Sequence, residues 1–483
     1  LQSCVDNALH EALHGYLSFA DPELQEKMVV KPCANLAFGD YQFEGCLPMA
    51  NHFKRAPWTF GDGSTLPSNP RKLAELVIEY LNVQHISDAP EIAGPGFINF
   101  RLKRDFLNRF AAEVLRDERL GVPQASTQKT VVVDYPSPNV AKPLHVGHIR
   151  TMFIGDAIAR LLRFAGHNVI SDNHIGDWGT PIGMVIWGWK RFRDEAAFAH
   201  SPLDEMGRIY KIVKAQSSEK DVNGVLTPPA RETLTDVRLE TAKLHEGDAE
   251  NLAIWKTLRD ASLPELDKVY ARLGIEIDET LGESFYQPQL ASIVEELKSK
   301  SIAVESQGAI VIAFEEPPHL RDKPMLIQKS DGGFLYGTTD LATVAHRIKE
   351  WNCDEIIYVV DARQADHFRQ LFAAVQKWGL KEVELHHVAF GTILGDDGTP
   401  IKTREGEPPR LDYLLDEAIA RAGEIARTKN PELPEEKLNS IAQVLGIGAL
   451  KYADLSQNRT SDYQFSWDKM LALSGNSAVY LEY

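Results

Sequence analysis

The sequence predicts an α/β protein built on a doubly wound parallel sheet, and three observations carry that prediction. Val131-Val132-Val133 is a β-branched run with the unbroken apolar character of a strand covered on both faces. An apolar repeat at helical spacing follows, formed by Ile149, Met152, Phe153, Ala157, Ile158, Leu161 and Leu162 and closed by Gly166. Asn168-Val169-Ile170-Ser171 then starts a second strand, completing a βαβ unit of the length that a right-handed parallel crossover needs.

The other elements follow in chain order. Residues 1–120 read as an appended α+β domain with loops rich in Pro and Gly. In it Phe38-Gly39-Asp40-Tyr41-Gln42 is expected to open one helix and Asn69-Pro70-Arg71 another. Gly94-Pro95-Gly96 reads as a turn feeding the strand Phe97-Ile98-Asn99-Phe100. Residues 126–410 form the central domain. Within it, Trp187 to about Asp278 is helical by periodicity, broken at Pro202 and Pro228-Pro229, and marks an insertion over about 187–300. Strand runs return at Ala309 to Phe314, Glu355 to Val360 and His386 to Phe390, separated by helices at Asp340 to Trp351 and Phe368 to Trp378. From Leu411 onward everything reads as helical, so 411–483 is expected to hold linker helices and, from near Leu438, the start of an all-α C-terminal domain. The picture is a Rossmann-like doubly wound sheet with a helical insertion, flanked by an α+β domain and an all-α beginning.

Composition narrows the function classes. With 483 residues, 43% hydrophobic and 25% charged, the chain can bury a sizeable core across about three domains of roughly 150 residues each. No stretch approaches the roughly 20 consecutive apolar residues of a membrane span, and the first thirty residues do not form a signal peptide, so a cytoplasmic location is expected. The four cysteines never occur as CxxC, which indicates neither a disulfide framework nor a cysteine zinc site. Lys+Arg number 52 against 69 Asp+Glu, a net charge of −17. That balance argues against indiscriminate binding to nucleic acid or anionic membrane and leaves room for a local basic face toward one defined RNA.

The chemistry concentrates in the loop after the first strand, from Asp134 to His148. In a doubly wound sheet, ligands bind at the carboxyl ends of the strands, where helix N-termini offer free N–H groups to phosphate. His145 and His148, three apart at the start of a helix, would project from one face toward phosphate oxygens whose charge grows as pyrophosphate leaves. Gly147 between them lets a nucleotide approach the backbone. A bare HxGH also fits a pair of surface histidines. A zinc reading lacks a third ligand, so no metal site is expected.

Ser137-Pro138-Asn139-Val140-Ala141-Lys142-Pro143-Leu144-His145-Val146-Gly147-His148 resembles the "HIGH" segment of class I aminoacyl-tRNA synthetases in its arginyl-tRNA synthetase version. His174-Ile175-Gly176-Asp177-Trp178-Gly179-Thr180-Pro181, Gly282-Glu283-Ser284-Phe285-Tyr286, Leu335-Tyr336-Gly337-Thr338-Thr339-Asp340, Asp361-Ala362-Arg363-Gln364 and Lys451-Tyr452-Ala453-Asp454 resemble the same family in the same order. The resemblance runs from about Phe38 to Tyr483. It implies arginine–tRNA ligase activity with L-arginine, ATP and tRNA(Arg) as substrates, Mg²⁺ accompanying ATP, no tightly bound cofactor, and a monomer. It places arginine on Asn139, Tyr336, Asp340 and Gln364, with Asp134 assisting and Ser137, Pro138 and His148 alongside. His145, Gly147 and His148 fall to ATP. Chemistry agrees with the amino acid: a guanidinium is a fork of five donors, so its pocket needs carboxylates and neutral acceptors. Tyr336 and Asp340, four apart, would share a helical face, while Asp134 and Gln364 would lie on one carboxyl edge of the sheet. Apart from the family, Tyr336 and Asp340 also fit a core tyrosine and a helix N-cap.

The second nucleotide loop of the class, "KMSKS", corresponds to Phe390 through Gly406, and here the chain departs from the pattern: Thr403 stands where the consensus has its second lysine. The resemblance implies that Lys142, just before the HIGH segment, stands in. Lys402 and Arg404 are further candidates for the triphosphate, although a solvated charged hairpin reads the same way. Asp40, Tyr41 and Gln42 resemble the N-terminal domain that touches the tRNA elbow. Ser474 to Tyr483 resembles the start of a long helix leading into an anticodon-binding bundle, so the sequence is expected to be truncated before most of that bundle. Two alternatives remain at this point: a nucleotidyltransferase acting without RNA, and a catalytically silent binding module.

Overall fold

A computed structural model describes the chain except for residues 14–21, 60–62, 141, 222–223, 381, 396, 402–408, 473–474 and 483. It divides into two compact units, Leu1–Pro123 and Gln124–Tyr483.

The first unit is an antiparallel sheet with helices. Its strands are β1 (Val30–Pro32), β2 (Tyr41–Phe43), β3 (Glu91–Ala93) and β4 (Phe97–Phe100), in the order β1-β2-β4-β3. Leu9, Phe43, Met49, Phe53, Leu73 and Phe100 form its core. Asn69 caps the helix Pro70–Glu79 as expected, its Oδ1 accepting from the N–H groups of Arg71 and Lys72. The turn at Gly94 and Gly96, both at positive φ, feeds β4. The helix expected to open at Phe38–Gln42 is a correction: only Leu36–Phe38 makes a 3₁₀ turn, Tyr41 and Gln42 lie on β2, and the helix starts at Cys46. What decides is pairing with β4, in which Gln42 faces Asn99.

The second unit is built on the parallel sheet β11-β10-β5-β6, with β5 (Thr130–Asp134), β6 (Asn168–Asp172), β10 (Glu355–Tyr358) and β11 (Glu384–His387). Side chains alternate between the faces of β5. Val131 and Val133 pack with Met152 and Phe153 of the helix Ile149–Phe164. Val132 packs on the other side with Leu341, Val344 and Leu371 of the helices Tyr336–Trp351 and Ala365–Trp378. The sheet is thus wound on both faces. Between β6 and β10 lie five helices of the insertion, from Thr180–Phe192 to Ala249–Arg272, around a core of Ile182, Val185, Trp189, Met206, Ile209 and Val237. Pro202 and Pro228 each open a helix at its first residue, where no intrahelical N–H is needed.

The Ala309 run is a strand as expected, although in another sheet: β8 (Ala309–Ile312) pairs antiparallel with β7 (Ala303–Ser306) and β9 (Met325–Gln328), apart from the parallel sheet. The stretch after Leu411 is not all helical: beyond the helices Leu411–Lys429 and Glu435–Leu455, β13 (Tyr463–Gln464) pairs in parallel with β12 (Ile393–Leu394).

Candidate active site

The loop leaving β5 is fastened at its base. Ser137, held at a φ of 54°, donates through Oγ to Asp134 Oδ1 at 2.8 Å and through N–H to Asn173 Oδ1 at 3.1 Å. The loop then reaches His145, which caps the 3₁₀ turn Val146–His148 leading into the helix Ile149–Phe164. His145 Nδ1 accepts the Gly147 N–H at 3.1 Å, and His148 Nδ1 accepts the His145 N–H at 3.1 Å. The two rings lie 4.0 Å apart. A Cβ on Gly147 would stand 2.8 Å from His145 Cε1, so glycine keeps that imidazole folded over the turn. Burial, reinforced by the neighbouring His145, pushes His148 down to about 3. His148 Nδ1 also lies 3.2 Å from His145 O; in the tautomer that accepts the His145 N–H, the neutral ring carries its proton on Nε2 as a donor.

His145, Gly147 and His148 line a cavity of about 400 Å³ at the carboxyl ends of β5 and β10. Asp134, Ser137 and Gln364 line it too, together with Asp361 and Arg363 of the turn after β10 and the stretch Phe390–Ile393. The flank of the second loop is stitched to the first: the Val146 N–H donates to Pro409 O and the Leu411 N–H to Leu144 O, both at 2.9 Å. Lys402, Thr403 and Arg404 lie outside the described residues.

The structure brings only part of the expected arginine set to that cavity. Asp134 lines it with both oxygens engaged: Oδ1 accepts from Ser137, and Oδ2 lies 2.5 Å from Arg347 Nη2. Arg347 is fully buried and also holds Asp172 Oδ2, at 2.7 and 3.0 Å. The chain's own guanidinium thus occupies the carboxylate that sequence reasoning offered to a ligand. Burial raises Asp172 while Arg347 pulls it down. Tyr336 and Asp340 do share a helical face, and His367 joins them: its Nε2 lies 2.6 Å from Asp340 Oδ2, and its ring meets that of Tyr336 edge-on at 4.8 Å. Asp340 is no N-cap, because the helix begins at Tyr336 with Leu335 in the capping position. Tyr336 faces a second, smaller cavity of about 240 Å³ shared with Trp178, His245, Glu283 and Lys329. There burial pushes Glu283 up to about 7, with Asp340 and Asp177 adding to the rise and His174 opposing it.

Pro138, Asn139, Asp340 and Lys142 line neither cavity. Asn139 pairs its backbone with Gly176, and Lys142 Nζ sits 4.1 Å above the ring of Tyr210. In the first unit, Asp40 Oδ2 accepts the Leu102 N–H at 2.7 Å and Gln42 Nε2 donates to Asn99 Oδ1 at 2.6 Å, while Tyr41 is half-buried against the core.

Sequence reasoning missed Arg347, His367 and Arg150. Arg150, buried beside the HxGH turn, pairs with Asp454 at 2.9 Å and donates to the carbonyls of Gly391 at 2.8 Å and Ser461 at 3.2 Å. Its signal was a charge in the first turn of a helix whose next five residues, Thr151 to Gly155, carry none.

The fold and the placement of this loop define a class I synthetase catalytic domain, and comparison with known proteins agrees. Residues 111–467 match the family model of tRNA synthetases class I (R), catalytic domain, and residues 1–102 that of the arginyl tRNA synthetase N terminal domain. An arginine–tRNA ligase of Laribacter hongkongensis is 42% identical over 98% of this chain and 80% of its own length. One of Rhodopirellula baltica is 39% identical over 94% and 77%. A crystal structure of arginyl-tRNA synthetase from Plasmodium falciparum superimposes with a TM-score of 0.75 at 27% identity, over 99% of this chain and 78% of that one. The chain belongs to the arginyl-tRNA synthetase family.

Proposed function

We propose that the chain ligates L-arginine to tRNA(Arg) through an arginyl-adenylate. The carboxylate of arginine attacks the α-phosphate of Mg²⁺-bound ATP, and pyrophosphate leaves. The 2′-hydroxyl of the terminal adenosine of the tRNA then attacks the arginyl carbonyl, giving up its proton as the anhydride bond breaks and AMP leaves. No residue is needed as a nucleophile, so the work of the protein is positioning and charge stabilisation. The observation that carries this reading is the HxGH turn lining the larger cavity, with a neutral His148 at the start of a 16-residue helix. His145, His148 and Lys142 meet the triphosphate, joined by Lys402 and Arg404 of the second loop. Gln364 is the arginine candidate that lines the larger cavity, while Tyr336, which lines the smaller one, and Asp340, paired with His367, are the remaining candidates on the neighbouring helix. In the first unit Tyr41 is the stronger tRNA candidate, since Asp40 and Gln42 spend their side chains on Leu102 and Asn99. The reading further includes a monomer in the cytoplasm without a tightly bound cofactor. No described helix is long and apolar enough to cross a membrane.

ATP–pyrophosphate exchange tests this, scanning the twenty amino acids with and without total tRNA at fixed salt. Exchange stimulated by arginine and dependent on tRNA is expected. Exchange with another amino acid, or with none, overturns the assignment. His148→Ala is expected to lower the exchange rate by roughly 10²–10³-fold, the scale for losing one preorganised donor, while tRNA binding in a filter assay stays unchanged.

A further inference from the structure

With Thr403 in place of the second lysine of its loop, the reaction leans on Lys142, and the question is what holds a long, flexible ammonium beside the HxGH turn. The structure answers with one face of the insertion helix Pro202–Ser218. Asp204, Gly207, Tyr210 and Lys214 recur there at spacings of three and four and run alongside the Lys142–His145 loop. Asp204 pairs with Arg410, which bridges to the His145 backbone. Gly207 leaves room for Pro143, whose Cδ would stand 3.0 Å from any Cβ added there. Tyr210 carries Lys142 over its ring at 4.1 Å, and Lys214 lies 5.9 Å from the same ring. Among the described residues no carboxylate lies within ion-pair distance of Lys142. A π face orients a cation without neutralising it, whereas a carboxylate would have to be displaced before phosphate could bind.

We propose that Tyr210 is a positioning residue for adenylate formation: its ring holds the ammonium of Lys142, uncompensated, beside the HxGH turn for the triphosphate. This rests on the role given to Lys142 above. The platform belongs to the insertion rather than to the sheet, so the cation lost from the second loop is replaced by a joint device of two distant segments.

Steady-state ATP–pyrophosphate exchange with arginine and tRNA provides the test. Tyr210→Leu is expected to raise KM for ATP roughly three- to thirtyfold, the range of a cation–π contact, and to leave KM for arginine unchanged. Tyr210→Phe, which keeps the ring, is expected to retain wild-type values. Lys142→Met is expected to raise KM for ATP by at least as much, and Tyr210→Leu added to it should change nothing further. An equal effect of Tyr210→Leu with and without Lys142 overturns the proposal in favour of a structural role. An unchanged KM for ATP in Tyr210→Leu beside a raised one in Lys142→Met shows that the lysine needs no platform, and overturns it as well. If Lys142→Met leaves exchange untouched, the assignment of Lys142 to the triphosphate fails first and takes this proposal with it.

Discussion

Loss of water drives both His148 and Glu283 toward their neutral forms, the first pushed down to about 3 and the second up to about 7. For Glu283 this has a sign that can be measured. Between its ordinary value of 4.5 and about 7 the unfolded chain has released this proton and the folded chain has not, so unfolding releases a proton and stability falls as pH rises through that window. Glu283→Gln keeps an acceptor for the Trp178 N–H and removes the titration. Thermal unfolding from pH 5 to 8 should therefore show a shallower loss of Tm in the variant, a difference on the order of 1–3 kcal/mol; parallel curves would refute it. At this scale the sequence was legible where function is written locally. His145, Gly147 and His148 sit within four positions and assemble as one turn. Arg347 and His367 were not legible, because each acquires meaning only from partners far along the chain: Asp134 is 213 positions from Arg347, and Asp340 is 27 from His367.

Helices and strands show the same division. The βαβ unit around Val131–Ser171 was readable because both strands and the helix carry their full pattern within a short stretch. Strands of two or three residues, such as β2 and β13, are too short to display any alternation, and their state is decided by the strand they meet. A comparable dependence on a neighbour governs the crossing of the helices Leu411–Lys429 and Glu435–Leu455. A Cβ at Gly446 would lie 2.9 Å from the backbone C and O of Ala418, so the two backbones touch through the missing side chain. Although alanine is the better helix former, Gly446→Ala is expected to destabilise by about 1–3 kcal/mol through overpacking, read as a lowered Tm. A rise in Tm would show that the helices separate at no cost.

For the whole molecule, the two units meet at Pro123 and Gln124, and the segment from Leu120 to Gln128 is exposed at all but one position and belongs to no helix or strand. Each unit has its own core. Limited trypsin treatment is therefore expected to cut first after Arg119 and leave two persistent fragments, identified by mass; simultaneous loss of both would show that neither core stands alone. The sheet of the second unit carries a different consequence, one of time. β5 pairs early with β6, yet its other edge waits for β10, and the contact that closes that edge, Thr130 to Asp354, spans 224 positions. At synthesis rates of about 5–20 residues per second, the bare edge of Val131–Val133 stands open for roughly 10–45 s on the ribosome. An apolar strand edge left open that long is a template for unwanted pairing, so the newborn chain should depend on protection during its own synthesis far more than the finished protein does afterwards.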